Sequence, residues 1–238
     1  LSKAGPSKIQ SPSKKIAIVG NGPSRANFIA IQDEFEWDDV IGINVYDEAL
    51  VGVQTVVCAD SLAVMMYRNY PLRNRLDDIR FVMSRRAHNG CSTFKNRPAS
   101  PDTFKDFLDA SDLLEAVVEC PEEFALDDKQ RYLSSGHLAY LYASDKYPDS
   151  EIHMFGFDSV FTGDSSATYS NRDIKNYDDP NITRSEVSEK TDFTKVWEEY
   201  WIICLSDRFN TFKSVTFYGI DGDRRPEFNS PNMKVAYI

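Results

Sequence analysis

Nowhere in the 238 residues does an apolar run approach the roughly 20 residues that cross a bilayer as a helix. The Lys-, Ser- and Pro-rich opening likewise holds no apolar stretch of the kind that directs secretion. Cysteine is scarce and scattered. Cys58, Cys91, Cys120 and Cys204 form no C-x-x-C pair, which argues against a zinc site and a dense disulfide framework and fits a reducing compartment. Basic charge is also short: 27 Lys and Arg stand against 37 Asp and Glu, a formal net charge of −10, and basic residues gather only in short clusters such as Arg85-Arg86. Nucleic acid is therefore not expected as the main partner. A soluble, cytoplasmic chain is the expectation.

What the chain does have is a patterned body behind a polar start. Residues 1–14 are rich in Ser, Lys, Pro and Gly and have almost nothing to bury, so they read as a disordered tail. Residues 15–238 are enough for one α/β domain with a full core. Its first stretch, Ile16-Ala17-Ile18-Val19-Gly20-Asn21-Gly22-Pro23-Ser24, is a buried strand running into a tight turn and a helix. Gly20 and Gly22 let the backbone approach a ligand, Pro23 suits the first helical turn, and Ser24 follows at the helix start. Free N–H groups there favour phosphate, although a strand-turn-helix also needs glycine simply to turn. Arg25 occupies the third-glycine position of the dinucleotide fingerprint, which disfavours an ordinary NAD site.

The pattern then alternates. Strands are expected at Asp39–Asn44, Gln54–Ala59, Ile79–Met83, Glu151–Phe155 and Ser214–Ile220, and helices at 101–110, 112–117 and after Ser134-Ser135-Gly136-His137. This predicts a Rossmann-like, mostly parallel sheet with helices on both faces. Asn44, Asp60 and Asp158 fall at or just past the carboxyl ends of strands, the edge where open α/β sheets bind ligands. Asp60 with Ser61 is equally suited to cap the next helix, and Asn44 to turn the chain. From about residue 160 to 190 the chain is polar, with Tyr169 inside it, and is read as a lid over the ligand edge. Phe193, Val196, Trp197, Tyr200, Trp201 and Cys204 follow at helical spacing as core.

The order of Val19-Gly20-Asn21-Gly22-Pro23-Ser24, Ile43-Asn44, Ser134-Ser135-Gly136, Gly156-Phe157-Asp158 and Gly163-Asp164-Ser165-Ser166 resembles the bacterial sialyltransferases of glycosyltransferase family 42. More distantly it resembles the S-type sialylmotif of animal sialyltransferases. The likeness covers most of residues 15–223. It implies a Rossmann-like fold with a lid, a CMP-sialic acid donor, and inverting transfer without a metal or other cofactor. Carried over by position, it implies that Asn21 and Gly22 meet the CMP phosphate and ribose, with Asn44 and Asp60 around the donor. Ser134, Ser135 and Gly136 would hold the sugar carboxylate or the phosphate, and Gly156, Phe157 and Asp158 would line the cytidine pocket.

The chain also departs from that family. A lid histidine acts there as base, whereas here Val187 falls near its position and the three histidines are His88, His137 and His153. The lid tyrosines are displaced, with Val160 at one place and Tyr169 close to the other. His137, Asp60, and the lid carboxylates Glu186 and Glu189 are the substitutes for the missing base. The expected activity is a sialyltransferase-like transfer from a CMP-sugar to a glycan, lipid or small-molecule acceptor. A homo-oligomer is compatible with this reading. The competing expectations are a catalytically inactive nucleotide-binding protein of the same fold and a metal-dependent UDP-sugar transferase using Asp221 and Asp223, carboxylates that suit a hard cation. A pterin or nucleotide phosphotransferase is a more distant one.

Overall fold

A computed structural model describes residues 12–22, 24–43, 52–58, 79–85, 112–124, 133–157, 201, 203–219 and 231–238. The strands are β1 (Lys15–Val19), β2 (Asp39–Ile43), β3 (Thr55–Cys58), β4 (Arg80–Ser84), β5 (Leu114–Val118), β6 (Glu151–Phe155), β7 (Ser214–Gly219) and β8 (Met233–Tyr237). They form an 8-stranded sheet in the order β5-β4-β3-β2-β1-β6-β7-β8. Every neighbouring pair is parallel. Helices α1 (Arg25–Ile31) and α2 (Ser135–Lys146) pack on this sheet. The expected α/β class, with helices on both faces, is what the chain adopts.

Burial on both faces explains why the central strands read as unbroken apolar runs. Ile16 and Ile18 of β1 face a core shared with Ile41, Val57, Met154 and the buried length of α2. Ala17 and Val19 face the other core, where Phe28 and Ile31 of α1 meet Val56 and Phe155. Burying a side chain such as Phe28 contributes about 1.5–3 kcal/mol. The two helices lie on opposite faces because the sheet grows one way from β1 to β5 and the other way from β6 to β8. Right-handed crossovers in opposite directions must cover opposite faces.

Two sequence expectations are corrected here. Asp112–Val117 was expected to be helical, but Leu114–Val118 is β5. Asp112 has φ of 53°, which interrupts any helix, and pairing along β4 then outweighs the helix preference of Leu, Glu and Ala. β8 is an addition beyond the expected last strand. It is a half-buried edge strand with Lys234 exposed, so it lacks the apolar run that marks the inner strands. Among the described residues no helix is long and apolar enough to cross a membrane. Ser13 and Lys14 already join the fold: Ser13 Oγ donates to Glu151 Oε1 at 2.8 Å, and the Lys14 carbonyl accepts from Glu151 N–H at 2.8 Å.

A polar network fastens α2 at the amino-terminal edge of the sheet. Asp39 is 3% exposed, and its Oδ2 accepts from Tyr147 Oη at 2.6 Å and from Thr55 Oγ1 at 3.3 Å. Beside it, Lys146 Nζ donates to Glu115 Oε1 at 2.7 Å and to Tyr142 Oη at 2.6 Å. The Lys146 hydrogen bond holds the Glu115 carboxyl below its ordinary value, and burial pushes the Tyr142 phenol up to about 12. Strands β2, β3 and β5 are thereby tied to the last turn of α2.

Two buried rings give tests of the packing. Tyr140 is fully buried with its ring edge-on to Trp201 and Phe212, and its hydroxyl has no hydrogen-bond partner among the described residues. Tyr140→Phe removes a polar atom that gained nothing from burial, so urea denaturation will show unchanged stability or a gain of up to about 1 kcal/mol. His153 sits against Trp37 and Tyr218, with Nδ1 2.9 Å from Tyr218 Oη. Burial pushes its pKa below the ordinary 6.5. The unfolded chain therefore binds this proton more readily than the folded one, and stability present above pH 6.5 is lost as pH falls through the folded value. His153→Gln will flatten that loss, read from urea midpoints at about pH 7.5 and about pH 5.5.

Candidate functional site

Between β1 and β6 the strand order reverses: α1, which follows β1, packs on one face, and Phe157, which follows β6, on the other. In open α/β sheets this is where ligands bind. The geometry depends on two glycines. Gly20 N–H donates to the Phe155 carbonyl at 2.7 Å and Gly22 N–H to the Gly156 carbonyl at 2.9 Å. A Cβ on Gly20 would lie 2.6 Å from the Gly156 oxygen, and one on Gly156 would lie 2.6 Å from the Gly20 oxygen. Gly156 also has φ of 74°, a left-handed conformation that side chains disfavour. The two turns therefore interlock backbone to backbone.

Side chains extend the ties along the rim. Ser24 is fully buried, and its Oγ accepts from Gly156 N–H at 3.0 Å rather than capping α1. Asn21 Nδ2 donates to the Ile43 carbonyl at the end of β2, 3.0 Å away. Asn27 Nδ2 donates to the Gly219 carbonyl at the end of β7, 2.9 Å away. The β1–α1 turn thus holds the carboxyl ends of β2, β6 and β7. Asn27 was not singled out in the sequence. An amide in the first turn of a helix that leaves a glycine turn is the signal that would have found it.

The start of α2 reaches the same rim from the opposite face. A Cβ on Gly136 would lie 2.7 Å from Phe157 Cε1, so glycine is what admits the Phe157 ring beside the helix. Phe157 is 7% exposed, edge-on to Trp201 and Phe217. The ring is therefore part of the core rather than an open wall. Ser134 Oγ accepts from His137 N–H at 3.3 Å, capping α2, and lies 2.7 Å from His137 Nδ1. The imidazole is 1% exposed and lies against the Trp201 ring, with centroids 4.4 Å apart.

Of the residues singled out in the sequence, the fold brings Gly20, Asn21, Gly22, Ser24, Ser134, Ser135, Gly136, His137, Gly156 and Phe157 to one edge of the sheet. Asn21 and Ser134 are partly exposed there, while Gly22, Ser24, Ser135 and His137 are buried. Asn44, Asp60, Asp158, Tyr169, Asp221 and Asp223 lie outside the described residues, as do the lid at about 160–190 with Val160, Val187, Glu186 and Glu189, and residues 1–11 of the tail. Trp201 and Cys204, expected in the core, are buried.

Gly156→Ala forces both a left-handed alanine and a contact with backbone that cannot move aside. A loss of about 2–3 kcal/mol in urea denaturation is expected, against less than about 1 kcal/mol for Ser134→Ala on the same rim. Comparison with protein-family models, with curated proteins and with solved structures finds no match to this chain.

Proposed function

We propose that this chain is a sialyltransferase-like, inverting glycosyltransferase that takes a CMP-activated sugar and passes it to a glycan, lipid or small-molecule acceptor. The observation that carries the reading is the meeting of two motifs far apart in sequence, Gly20-Asn21-Gly22 and Ser134-Ser135-Gly136, at the reversal of strand order. Their order along the chain is the basis of the family resemblance, and a common rim is what joint binding of one donor requires. The N-terminus of the 12-residue α2 supplies N–H groups and a positive dipole end suited to a phosphate or a sugar carboxylate. Asn21, braced by β2, presents its turn to the ribose side of that anion.

Inverting transfer aligns an acceptor oxygen behind the anomeric carbon and expels CMP from the other side. It needs a base for the acceptor proton and stabilisation of the departing phosphate, and each is commonly worth several powers of ten in rate. One observation favours a second reading, a nucleotide-binding protein of the same fold without catalysis: the His137 ring, 1% exposed, does not itself reach an acceptor.

Titration calorimetry with CMP, UMP, AMP and GMP separates these readings from others. Binding of CMP at least about tenfold tighter than the other nucleotides is expected, weakened about tenfold in Ser135→Ala. Equal affinity for all four nucleotides overturns the CMP-donor reading. CMP binding without donor hydrolysis or transfer across an acceptor screen selects the inactive form, and manganese-dependent UDP binding that Asp223→Ala abolishes selects the metal-dependent transferase.

A further inference from the structure

We propose that Cys120 and Cys204 form an oxidation-sensitive pair, in which a peroxide oxidises Cys120 and Cys204 resolves the product to a disulfide. The bond staples the exit of β5 to the helical turn carrying Trp201. This chemistry is independent of the nucleotide that the rim takes.

Placement selects these two thiols. Neither is in a disulfide, and both belong to the core on the α2 face, where Cys204 is fully buried and Cys120, just past β5, packs half-buried against it. Cys58 is buried in the core on the opposite face, so the sheet separates it from both. The segments that hold the pair are themselves fastened together. Past Cys120, the Phe124 ring lies 5.7 Å from the ring of Phe209, and Glu123 is ion-paired to Arg208. Leu205 N–H donates to the Trp201 carbonyl at 3.0 Å, which keeps Cys204 and Trp201 on one helical turn. The two thiols are then within electrostatic reach. Burial pushes the Cys204 thiol well above its ordinary value, and a charge on Cys120 raises it further.

Exposure and charge set the order of events. Peroxide arriving from solvent meets the half-buried Cys120 before the enclosed Cys204, and a thiolate is the form that attacks it. Cys204 is still protonated at that stage. Once Cys120 is an uncharged sulfenic acid, its charge no longer opposes ionisation of Cys204, which then gives up its proton more readily than before.

In the first step the Cys120 sulfur takes one oxygen of the peroxide as the O–O bond breaks, and the other oxygen leaves as water with the thiol proton. In the second, the Cys204 sulfur bonds to the Cys120 sulfur as the S–O bond breaks. The hydroxyl leaves as water with the Cys204 proton. The two thiols together lose two electrons, and hydrogen peroxide gains them. Thiol reductants reverse the bond by exchange. Trp201 lies against His137 and edge-on to Phe157, so the staple fixes a ring shared with the start of α2.

The test is oxidation of the full chain in excess hydrogen peroxide, followed by intact mass and peptide mapping without reductant. Expected is the loss of two hydrogens from the wild type, with one cross-linked peptide joining Cys120 to Cys204 that dithiothreitol reverses. Cys204→Ala should lose the cross-link and leave Cys120 as a sulfenic acid that dimedone traps, while Cys120→Ser leaves Cys204 reduced. An unchanged mass overturns the pair. So does a Cys120 that advances to sulfinic acid while Cys204 stays reduced, or a cross-link from either thiol to Cys58 or Cys91. The wild-type map decides this without any variant, so a Cys204→Ala chain that folds poorly does not blunt the test.

Discussion

The frame depends on two peptide chains passing closer than any side chain allows. Where β1 and β6 end, Gly20 and Gly156 bring their backbones so near that a single Cβ on either would meet the other's carbonyl at 2.6 Å. Parallel strands at a reversal of order normally open a crevice between diverging loops. Here the junction is closed by main-chain hydrogen bonds from Gly20 and Gly22, and Ser24 ties the start of α1 to it. The Asn21 turn and the start of α2 then flank this junction from the two faces.

That arrangement gives small residues two different duties. Gly20 and Gly156 admit backbone, whereas Gly136 admits the Phe157 ring and so joins α2 to the chain leaving β6. Ser24 and Ser134 both stand at helix starts, yet one is fully buried and holds a peptide N–H, while the other is partly exposed and holds an imidazole. Residue type alone does not separate them. Their surroundings do, because the first lies beneath the interlock and the second at its margin.

Most of the sheet was legible in the sequence because inner strands of a parallel sheet are covered twice and must be apolar throughout, as Ile16-Ala17-Ile18-Val19 and Phe81-Val82-Met83 are. The edges were not. Leu114-Glu115-Ala116 has helical preference and becomes a strand only through β4, and β8 carries Lys234 among half-buried neighbours. At the rim, the glycine turn and the serine-rich helix start announced themselves by composition. What composition could not reveal is which of those groups fold inward: Ser24 and Phe157 read as ligand contacts, and their partners turn out to be Gly156 and Trp201. Asn27 stayed unseen because its partner, the Gly219 carbonyl, lies 192 positions away along the chain.

The anchoring of α2 by Asp39, Tyr147, Lys146 and Glu115 has a reach beyond its own neighbourhood. A helix of 12 residues is a stiff rod about 18 Å long, and this one is clamped at its foot while its head carries Ser134 and His137. The foot and the rim are thus joined through one stiff element, so natural variation at Asp39 or Tyr147 bears on residues it never touches.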